Sequence, residues 1–206
     1  MTNMSNETAF TIDTSSIKFG PGITSEAGYE LSRLGATRVL VVTDPQLANS
    51  PAVQTAIDSL KKANIDYAVF DQVSVEPTDS SLKQAIKFAV EGKFNGFLPV
   101  GGGSSIDTAK AANLYSTYPA EFLEYVNAPI GKGTPVPGDL KPLVAVPTTA
   151  GTGSETTGVA IFDYEELGAK TGIAHRSLRP NVGLVDPENT RSLPKMVAAC
   201  SGFDVL

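Results

Sequence analysis

Short β-rich runs alternate with helical patterns along much of this chain, and this alternation limits the folds open to it. The runs are rich in branched and aromatic apolar residues and fall at positions 39–43, 67–70, 96–100 and 143–146. Between the first three, apolar residues recur at i, i+3, i+4 and i+7, which is the spacing of an amphipathic helix. Strands that alternate with helices pack as a parallel sheet with helices on its faces. The sequence therefore predicts an α/β fold with a doubly wound parallel sheet.

Capping residues place the starts of three helices. Ser50 before Pro51 predicts an N-cap followed by a first-turn proline. Asp79 or Ser80 is expected to cap the next helix, and Thr24 is expected to cap one near the amino end of the chain.

Later segments suggest additions to this sheet. Residues 158–162 and 183–185 are predicted to form strands of an added ribbon. From residue 193 the pattern is helical again and is still running at residue 206.

Three consecutive glycines, Gly101, Gly102 and Gly103, lead from the third run into a helical pattern. Glycines let a ligand approach the backbone, and the unpaired N–H groups of a first helical turn stabilise an anion. The alternative is a tight turn in which Ser104 and Asp107 form a capping box without any ligand. Neither standard nucleotide-binding fingerprint is met, so the residues alone predict an anion site of unspecified kind.

Loops after the other runs reach the same edge of the predicted sheet, where ligands bind in such folds. Asp44 follows the first run and could accept hydrogen bonds from a ribose diol, or it could simply start a turn before proline. Thr148 and Thr149 follow the fourth run and could bind a ligand or cap the turn. Lys170 could meet a phosphate or a ribose, although a solvated lysine is the commoner outcome.

Composition excludes several classes of partner. The net charge of −6 argues against a nucleic-acid partner, and no apolar run approaches the roughly 20 residues of a membrane helix. The first ten residues resemble neither a signal peptide nor an Arg-rich transit sequence. The single cysteine, Cys200, lies in an apolar pattern that suggests a small core residue. A cytoplasmic protein is therefore expected.

Metal ligation receives little support from the residues themselves. His175 is the one histidine and has no acidic or cysteine cluster near it in the sequence, so a metal or general-base role is not expected. Asp204 lies between apolar residues, where a buried carboxylate would need a partner such as a metal ion. The chain offers no further cluster to complete such a site.

Two glycine-rich blocks together resemble the signatures of the iron-containing (group III) alcohol dehydrogenases. The blocks are Gly101-Gly102-Gly103-Ser104 with Asp107 and Lys110, and the run from Val146-Pro147-Thr148-Thr149 to Ser154-Glu155. The resemblance extends over nearly the whole chain. Further blocks at 76–81, 110–115, 128–133 and 155–163 are similar to the hydroxyacid-oxoacid transhydrogenase branch of that family.

This resemblance implies a Rossmann-like dinucleotide-binding domain at residues 1–190 and the start of an all-helical metal-binding domain at residues 191–206. It implies an NAD site, and it makes Asp204 the first ligand of a divalent metal, iron or zinc. The residues that it assigns to NAD are Asp44, Gly101, Gly102, Gly103, Ser104, Asp107, Thr148, Thr149 and Lys170. It identifies no catalytic residue in this chain.

The implied activity is NAD-dependent oxidation of a hydroxyacid such as 4-hydroxybutyrate, with 2-oxoglutarate as the hydride acceptor. A simple alcohol dehydrogenase and a nucleotide-binding module without catalysis are the alternatives. Three histidine ligands of the family are missing from this sequence, so it is expected to be a truncated form that binds nucleotide without turnover. A small-molecule hydroxyacid or alcohol is the expected partner, and a homo-oligomer is left open.

Overall fold

The computed structural model describes residues 14–206, which form a parallel sheet covered by helices and a separate antiparallel ribbon. The sheet strands are β1 (Ser16–Phe19), β2 (Arg38–Val42), β3 (Asp66–Phe70), β4 (Gly96–Gly101), β5 (Val144–Pro147) and β8 (Val182–Val185). The ribbon strands are β6 (Val159–Tyr164) and β7 (Ala169–Ala174). The helices are α1 (Ala27–Arg33), α2 (Pro51–Lys62), α3 (Asp79–Gly92), α4 (Gly103–Thr117) and α5 (Lys195–Phe203).

The six sheet strands lie in the order β1-β8-β5-β4-β2-β3, and every neighbouring pair is parallel. Alternate residues of β2 face opposite sides: Val39 and Val41 pack with α1 and α2, whereas Leu40 and Val42 pack with α3 and α4. All four are fully buried because helices cover both faces. The predicted doubly wound α/β fold is confirmed.

The predicted ribbon is partly wrong. Its first strand is β6, but the partner of β6 is β7, with Val159 opposite Ala174 and Tyr164 opposite Ala169. The segment at 183–185 belongs instead to β8, which pairs in parallel with both β1 and β5. A strand that is buried on both faces has a continuous apolar sequence, as β8 does. Strand β7 carries polar residues because one of its faces is exposed to solvent.

Two of the three predicted helix starts also differ. Ser50 caps α2 as predicted, because its side chain accepts a hydrogen bond from the backbone N–H of Val53 at 3.3 Å. For α3 the cap is Thr78, just before the two predicted candidates Asp79 and Ser80, in a reciprocal capping box with Ser81. Thr24 lies in a short 3₁₀ helix, and its hydroxyl bonds to a distant carboxylate instead of capping α1.

The segment assigned to a second domain, residues 191–206, contains α5. No residue of α5 is buried, so this helix lies on the surface of the described structure. The boundary at residue 190 stays a prediction. Within residues 14–206 no helix has the length and apolarity needed to cross a membrane.

The carboxylate that bonds to the Thr24 hydroxyl belongs to Asp186. This residue follows β8 and joins that strand to the loop after β1. It accepts hydrogen bonds from the backbone N–H groups of Gly22 (3.0 Å), Thr24 (3.1 Å) and Glu188 (3.1 Å) and from the Thr24 hydroxyl (2.8 Å). Burial alone would raise the pKa of Asp186. The hydrogen bonds from Thr24, Gly22 and Glu188 outweigh burial and hold this pKa below its ordinary value.

We expect Asp186→Asn to lower the free energy of unfolding by about 2 kcal/mol at neutral pH, because an amide nitrogen would face N–H donors. A carboxyl whose pKa is lowered on folding contributes stability above its unfolded pKa of about 3.9 and loses it as the pH falls through the folded value. Urea unfolding should therefore show the difference shrinking below that pH.

The control for this measurement is Asp58→Asn, in the exposed pair that Asp58 forms with Lys61. This change should alter the free energy of unfolding by less than about 0.5 kcal/mol. A difference between the native chain and Asp186→Asn that stays constant into acid would contradict the proposed role of the carboxylate.

Candidate functional site

A cavity of about 440 Å³ opens at the carboxyl ends of β2, β4 and β5. Parallel strands end at the same edge of a sheet, so loops that are distant in sequence meet there. The predicted site residues on its wall are Asp44, Gly102, Gly103, Ser104, Thr148, Thr149 and Asp204. Gly101 is the buried last residue of β4 beneath this wall.

The amino end of α4 faces this cavity without a side-chain cap. Gly102 is the N-cap residue, and within residues 14–206 the backbone N–H groups of Gly103 and Ser104 have no hydrogen-bond acceptor. Unpaired N–H groups at the positive end of a helix dipole form an anion-binding site. The capping box considered for Ser104 and Asp107 is not formed, because the Asp107 carboxylate points elsewhere.

The glycines are required by space and not by backbone conformation. None of the three has a positive φ, and Gly102 is extended with φ −75° and ψ −172°. A Cβ at Gly102 would lie 3.3 Å from Cγ2 of Thr149, and one at Gly103 would lie 3.1 Å from Thr152. A side chain at Gly102 or Gly103 would therefore crowd Thr149 or Thr152, which also line the cavity.

Asp44 has the turn role considered for it, and its ribose role stays a prediction. Its Oδ1 accepts hydrogen bonds from the backbone N–H groups of Gln46 (2.9 Å) and Leu47 (3.1 Å), so it does start a turn. Its Oδ2 makes no hydrogen bond to the part of the chain that the structure describes. That second oxygen remains available to a hydroxyl donor in the cavity.

Thr148 and Thr149 stand at the end of β5. The backbone N–H of Thr148 donates to the carbonyl of Gly101 at 3.0 Å, which extends the pairing of β4 with β5 into the cavity wall. Neither threonine hydroxyl bonds to another described residue, so the turn-capping alternative is not observed. Both side chains line the cavity.

A second hollow of about 370 Å³ adjoins the first and shares Gly103, Ser104 and Thr152 with it. This hollow contains the remaining two predicted residues, Asp107 and Lys170. The Lys170 side chain is 59% exposed, with Nζ 3.8 Å from Oδ1 of Asp163 across the ribbon. Its ammonium group can therefore turn toward a ligand at little cost.

Asp107, on the wall of the second hollow, forms a buried pair with Lys110 behind it. Lys110 Nζ lies 3.4 Å from Oδ1 of Asp107, and the lysine side chain is fully buried. Burial raises the pKa of Asp107 and lowers the pKa of Lys110, while their mutual attraction opposes both shifts. Removing one partner would leave a charge buried alone, so the two residues act as a unit.

Helix α5 closes one side of the cavity. Val197, Cys200, Ser201 and Asp204 lie on its cavity-facing side. The loop after β5 is close to this helix, since a Cβ at Gly151 would lie 2.2 Å from the carbonyl oxygen of Ser201. The prediction of Cys200 as a core residue is wrong, because the thiol is exposed. The apolar pattern around it marks a helix face that is not covered in the described structure.

The described residues do not by themselves fit a metal ion. Within residues 14–206 no group of three His, Cys, Asp or Glu side chains lies close enough to hold one, so Asp204 offers a single carboxylate. Asp204 is also exposed, and it needs no partner on grounds of burial. His175 has a structural role, because its Nδ1 accepts a hydrogen bond from the backbone N–H of Ser177 at 3.2 Å.

Several residues at the two hollows were not predicted from sequence. Thr152, Asn189 and Ser192 line the cavity, and Lys110 lies behind the second hollow. Their positions depend on how loops fold back. Only Lys110 carried a local signal, because a lysine three residues after Asp107 in a helix of small apolar residues implies a partner.

Comparison with known proteins gives a consistent result. The family model described as iron-containing alcohol dehydrogenase matches residues 14–187. The hydroxyacid-oxoacid transhydrogenase of Bos taurus, named as mitochondrial, is 59% identical over 199 residues, which are 96% of this chain and 43% of that relative. The chain thus spans less than half the length of this relative.

Solved structures agree on the fold. A 1,3-propanediol oxidoreductase superposes with a TM-score of 0.87 at 29% identity, covering 95% of this chain and 50% of that one. Sulfoacetaldehyde reductase from Bifidobacterium kashiwanohense, solved in complex with NAD⁺, gives 0.83 at 29% identity and covers 96% and 52%.

The expected cytoplasmic location is wrong. Close relatives from cow, mouse and frog are named as mitochondrial. The expectation rested on the lone cysteine, on the absence of an apolar run of membrane length and on the composition of the first ten residues, which lie outside the described structure. Composition of so short a segment is a weak guide to the compartment.

We expect Gly151→Ala to move α5 away from the cavity, because the new Cβ would meet a backbone atom that cannot yield as a flexible side chain would. Amide hydrogen exchange in Lys195–Phe203 should accelerate about tenfold, corresponding to about 1.4 kcal/mol of lost packing. Gly202→Ala on the same helix is the control, since its Cβ would meet nothing within 4 Å. Exchange should slow there because alanine favours helix. Equal exchange in the two variants would contradict the contact.

Proposed function

Because the chain belongs to the iron-containing alcohol dehydrogenase family, we propose that its cavity binds NAD for hydride transfer between a hydroxyacid and an oxoacid. The proposal rests above all on the uncapped amino end of α4, where two unpaired N–H groups face a cavity lined by three strand-end loops. This is the arrangement that holds the phosphates of a dinucleotide. The NAD⁺ complex of a structural relative supports the choice of ligand.

The residues present offer suitable partners for several parts of a dinucleotide. The N–H groups of Gly103 and Ser104 would hold the pyrophosphate, and Oδ2 of Asp44 would accept from the adenosine ribose hydroxyls. The hydroxyls of Thr148 and Thr149 offer further hydrogen bonds between these two points. Lys170, at the second hollow, would meet the other half of the cofactor.

The proposed reaction exchanges a hydride and a proton between a hydroxyacid and an oxoacid, and the exchange is balanced. When bound, NAD would supply reversible hydride acceptance, so that the hydride lost by the hydroxyl-bearing carbon of the donor could reach the carbonyl carbon of the acceptor. The hydroxyl proton of the donor is released, and the new hydroxyl of the acceptor takes one up. This chain's own residues bind and orient the cofactor, and none of those described is placed as a proton acceptor.

The choice of substrates rests on the 59% identity to a hydroxyacid-oxoacid transhydrogenase. We therefore propose a hydroxyacid such as 4-hydroxybutyrate as the donor and 2-oxoglutarate as the acceptor. A nucleotide-binding role without turnover is the second candidate for residues 1–206, and it is favoured because within residues 14–206 no three potential metal ligands lie together. The NAD⁺ site serves both candidates.

We expect residues 1–206 to bind NAD without turnover, because one carboxylate does not make a metal site. A chimera that adds the remaining part of the bovine relative should transfer deuterium from labelled 4-hydroxybutyrate to 2-oxoglutarate. This transfer should need NAD only in an amount far below that of the substrates. Mass spectrometry of the product measures this transfer, and Asp204→Ala should abolish it in the chimera. Turnover by residues 1–206 alone would contradict the metal assignment. A requirement for stoichiometric NAD would instead indicate a simple alcohol dehydrogenase.

We expect NAD to bind more tightly than NADP by at least about tenfold, because a 2′-phosphate would lie close to the Asp44 carboxylate. Asp44→Gly should reduce this preference when both affinities are measured by calorimetry. The exposed acid Asp58 on α2 gives a control, and Asp58→Gly should leave the ratio unchanged. Equal affinities in the native chain would show that Asp44 does not discriminate.

A further inference from the structure

The outer edge of β6 is held by the buried pair of α4. Lys110 Nζ donates to the carbonyl oxygen of Val159 at 2.7 Å, and Oδ2 of Asp107 accepts from the backbone N–H of Ile161 at 3.0 Å. Lys110 also lies 3.3 Å from the Thr157 hydroxyl. One helix thus provides both a donor and an acceptor to the backbone at the start of this strand.

The same edge is held further along by the amino end of α3. The backbone N–H of Asp163 donates to the carbonyl of Pro77 at 2.8 Å. The backbone N–H of Glu165, just beyond β6, donates to Oδ1 of Asp79 at 3.1 Å. Every second residue on this edge is therefore bonded to a helix or its preceding loop.

We refer to Asp107, Lys110 and Asp79 as the edge clamp. A two-stranded ribbon is only marginally stable alone, and its edges present unpaired backbone groups. Apolar residues could pack against the ribbon, but they could not bond to its edge. Burying these charged groups costs free energy, but the hydrogen bonds that they make to the strand edge fix the position of β6 along α4.

Lys170 depends on this position. It lies opposite Asp163 in the β6–β7 ladder, between the two points at which the clamp holds β6. Asp107 lies four residues, or about one helical turn, after Gly103 at the amino end of α4. The helix that presents the unpaired N–H groups therefore also fixes the strand that carries Lys170.

We propose that Asp107 and Lys110 are positioning residues that set the distance between Lys170 and the amino end of α4, so that both meet one dinucleotide. This proposal rests on the proposed function. It reassigns Asp107, because both of its carboxylate oxygens are bonded within the protein and the residue is only 8% exposed. Lys170 contacts the cofactor, and the clamp acts through Lys170.

A double-mutant cycle on NAD affinity tests the proposal. The double variant Asp107→Leu with Lys110→Met removes the two members of the edge clamp on α4 and leaves Asp79 in place; it is called the clamp-free variant. It replaces the buried pair by apolar residues and leaves no unpaired charge. Lys170→Ala should weaken NAD binding about tenfold in the native chain and less than about twofold in the clamp-free background. Calorimetry gives the four affinities. Hydrogen exchange at the Ile161 amide should accelerate in the clamp-free variant.

The controls separate positioning from general damage. Asp58→Ala removes a matched Asp–Lys pair of i, i+3 spacing on the surface of α2 and should change neither NAD affinity nor its response to Lys170→Ala. If the clamp-free variant does not fold by circular dichroism, Asp79→Ala takes its place, because its partner Lys83 is exposed and can be solvated. It should reduce the effect of Lys170→Ala in the same way.

Each outcome bears on one of the two proposals. An equal tenfold loss on Lys170→Ala in both backgrounds, or no loss in the native chain, would overturn the positioning role and leave the NAD site intact. Failure of the native chain to bind NAD would overturn the proposed function and the positioning role with it. Asp107→Asn combined with Lys110→Met leaves no charge buried alone, and its amide oxygen can still accept from the Ile161 N–H. A stronger effect of Lys170→Ala in this variant than in the clamp-free variant would support the role of that hydrogen bond.

Discussion

The pairing of parallel strands is the constraint on which the rest of this structure depends. Parallel neighbours require crossover helices, and those helices bury both faces of the sheet. Polar side chains can then gather only where the strands end. Asp44, Gly102 and Thr148 are 58 and 46 positions apart in sequence, yet they share one cavity for this reason alone.

Much of the fold and of the candidate site could be predicted because the signals were local. Apolar runs buried on both faces identified β2, β4 and β5, and the side chains just past each run, such as Asp44 and Thr148, necessarily followed. What could not be predicted depends on contacts between distant segments. The pairing of β8 with β1 is one case. The exposure of Cys200 is another case, because an apolar pattern shows which face of a helix is hydrophobic but not whether another segment covers that face.

The hydrogen bonds of Lys110 are a further example of contacts between distant segments that the sequence does not predict. A lysine in a helix of alanines is conspicuous, but its partners are the carbonyl of Val159 and the hydroxyl of Thr157, almost fifty residues away. Backbone groups carry no sequence signature, so such a contact is visible only in the structure. The three glycines, in contrast, were conspicuous in the sequence, and the structure shows that added side chains there would crowd Ser105, Thr149 and Thr152.

The two oxygens of Asp44 differ in their surroundings, because Oδ1 accepts two backbone hydrogen bonds of the loop and Oδ2 accepts none from the described residues. Under the proposed function, a substitution at Asp44 that admits a 2′-phosphate would also remove the bonds that organise the turn. An evolutionary or engineered route to NADP use would then first need a residue elsewhere that stabilises the loop. The proposed coenzyme preference would in this way be coupled to the stability of the loop as well as to charge.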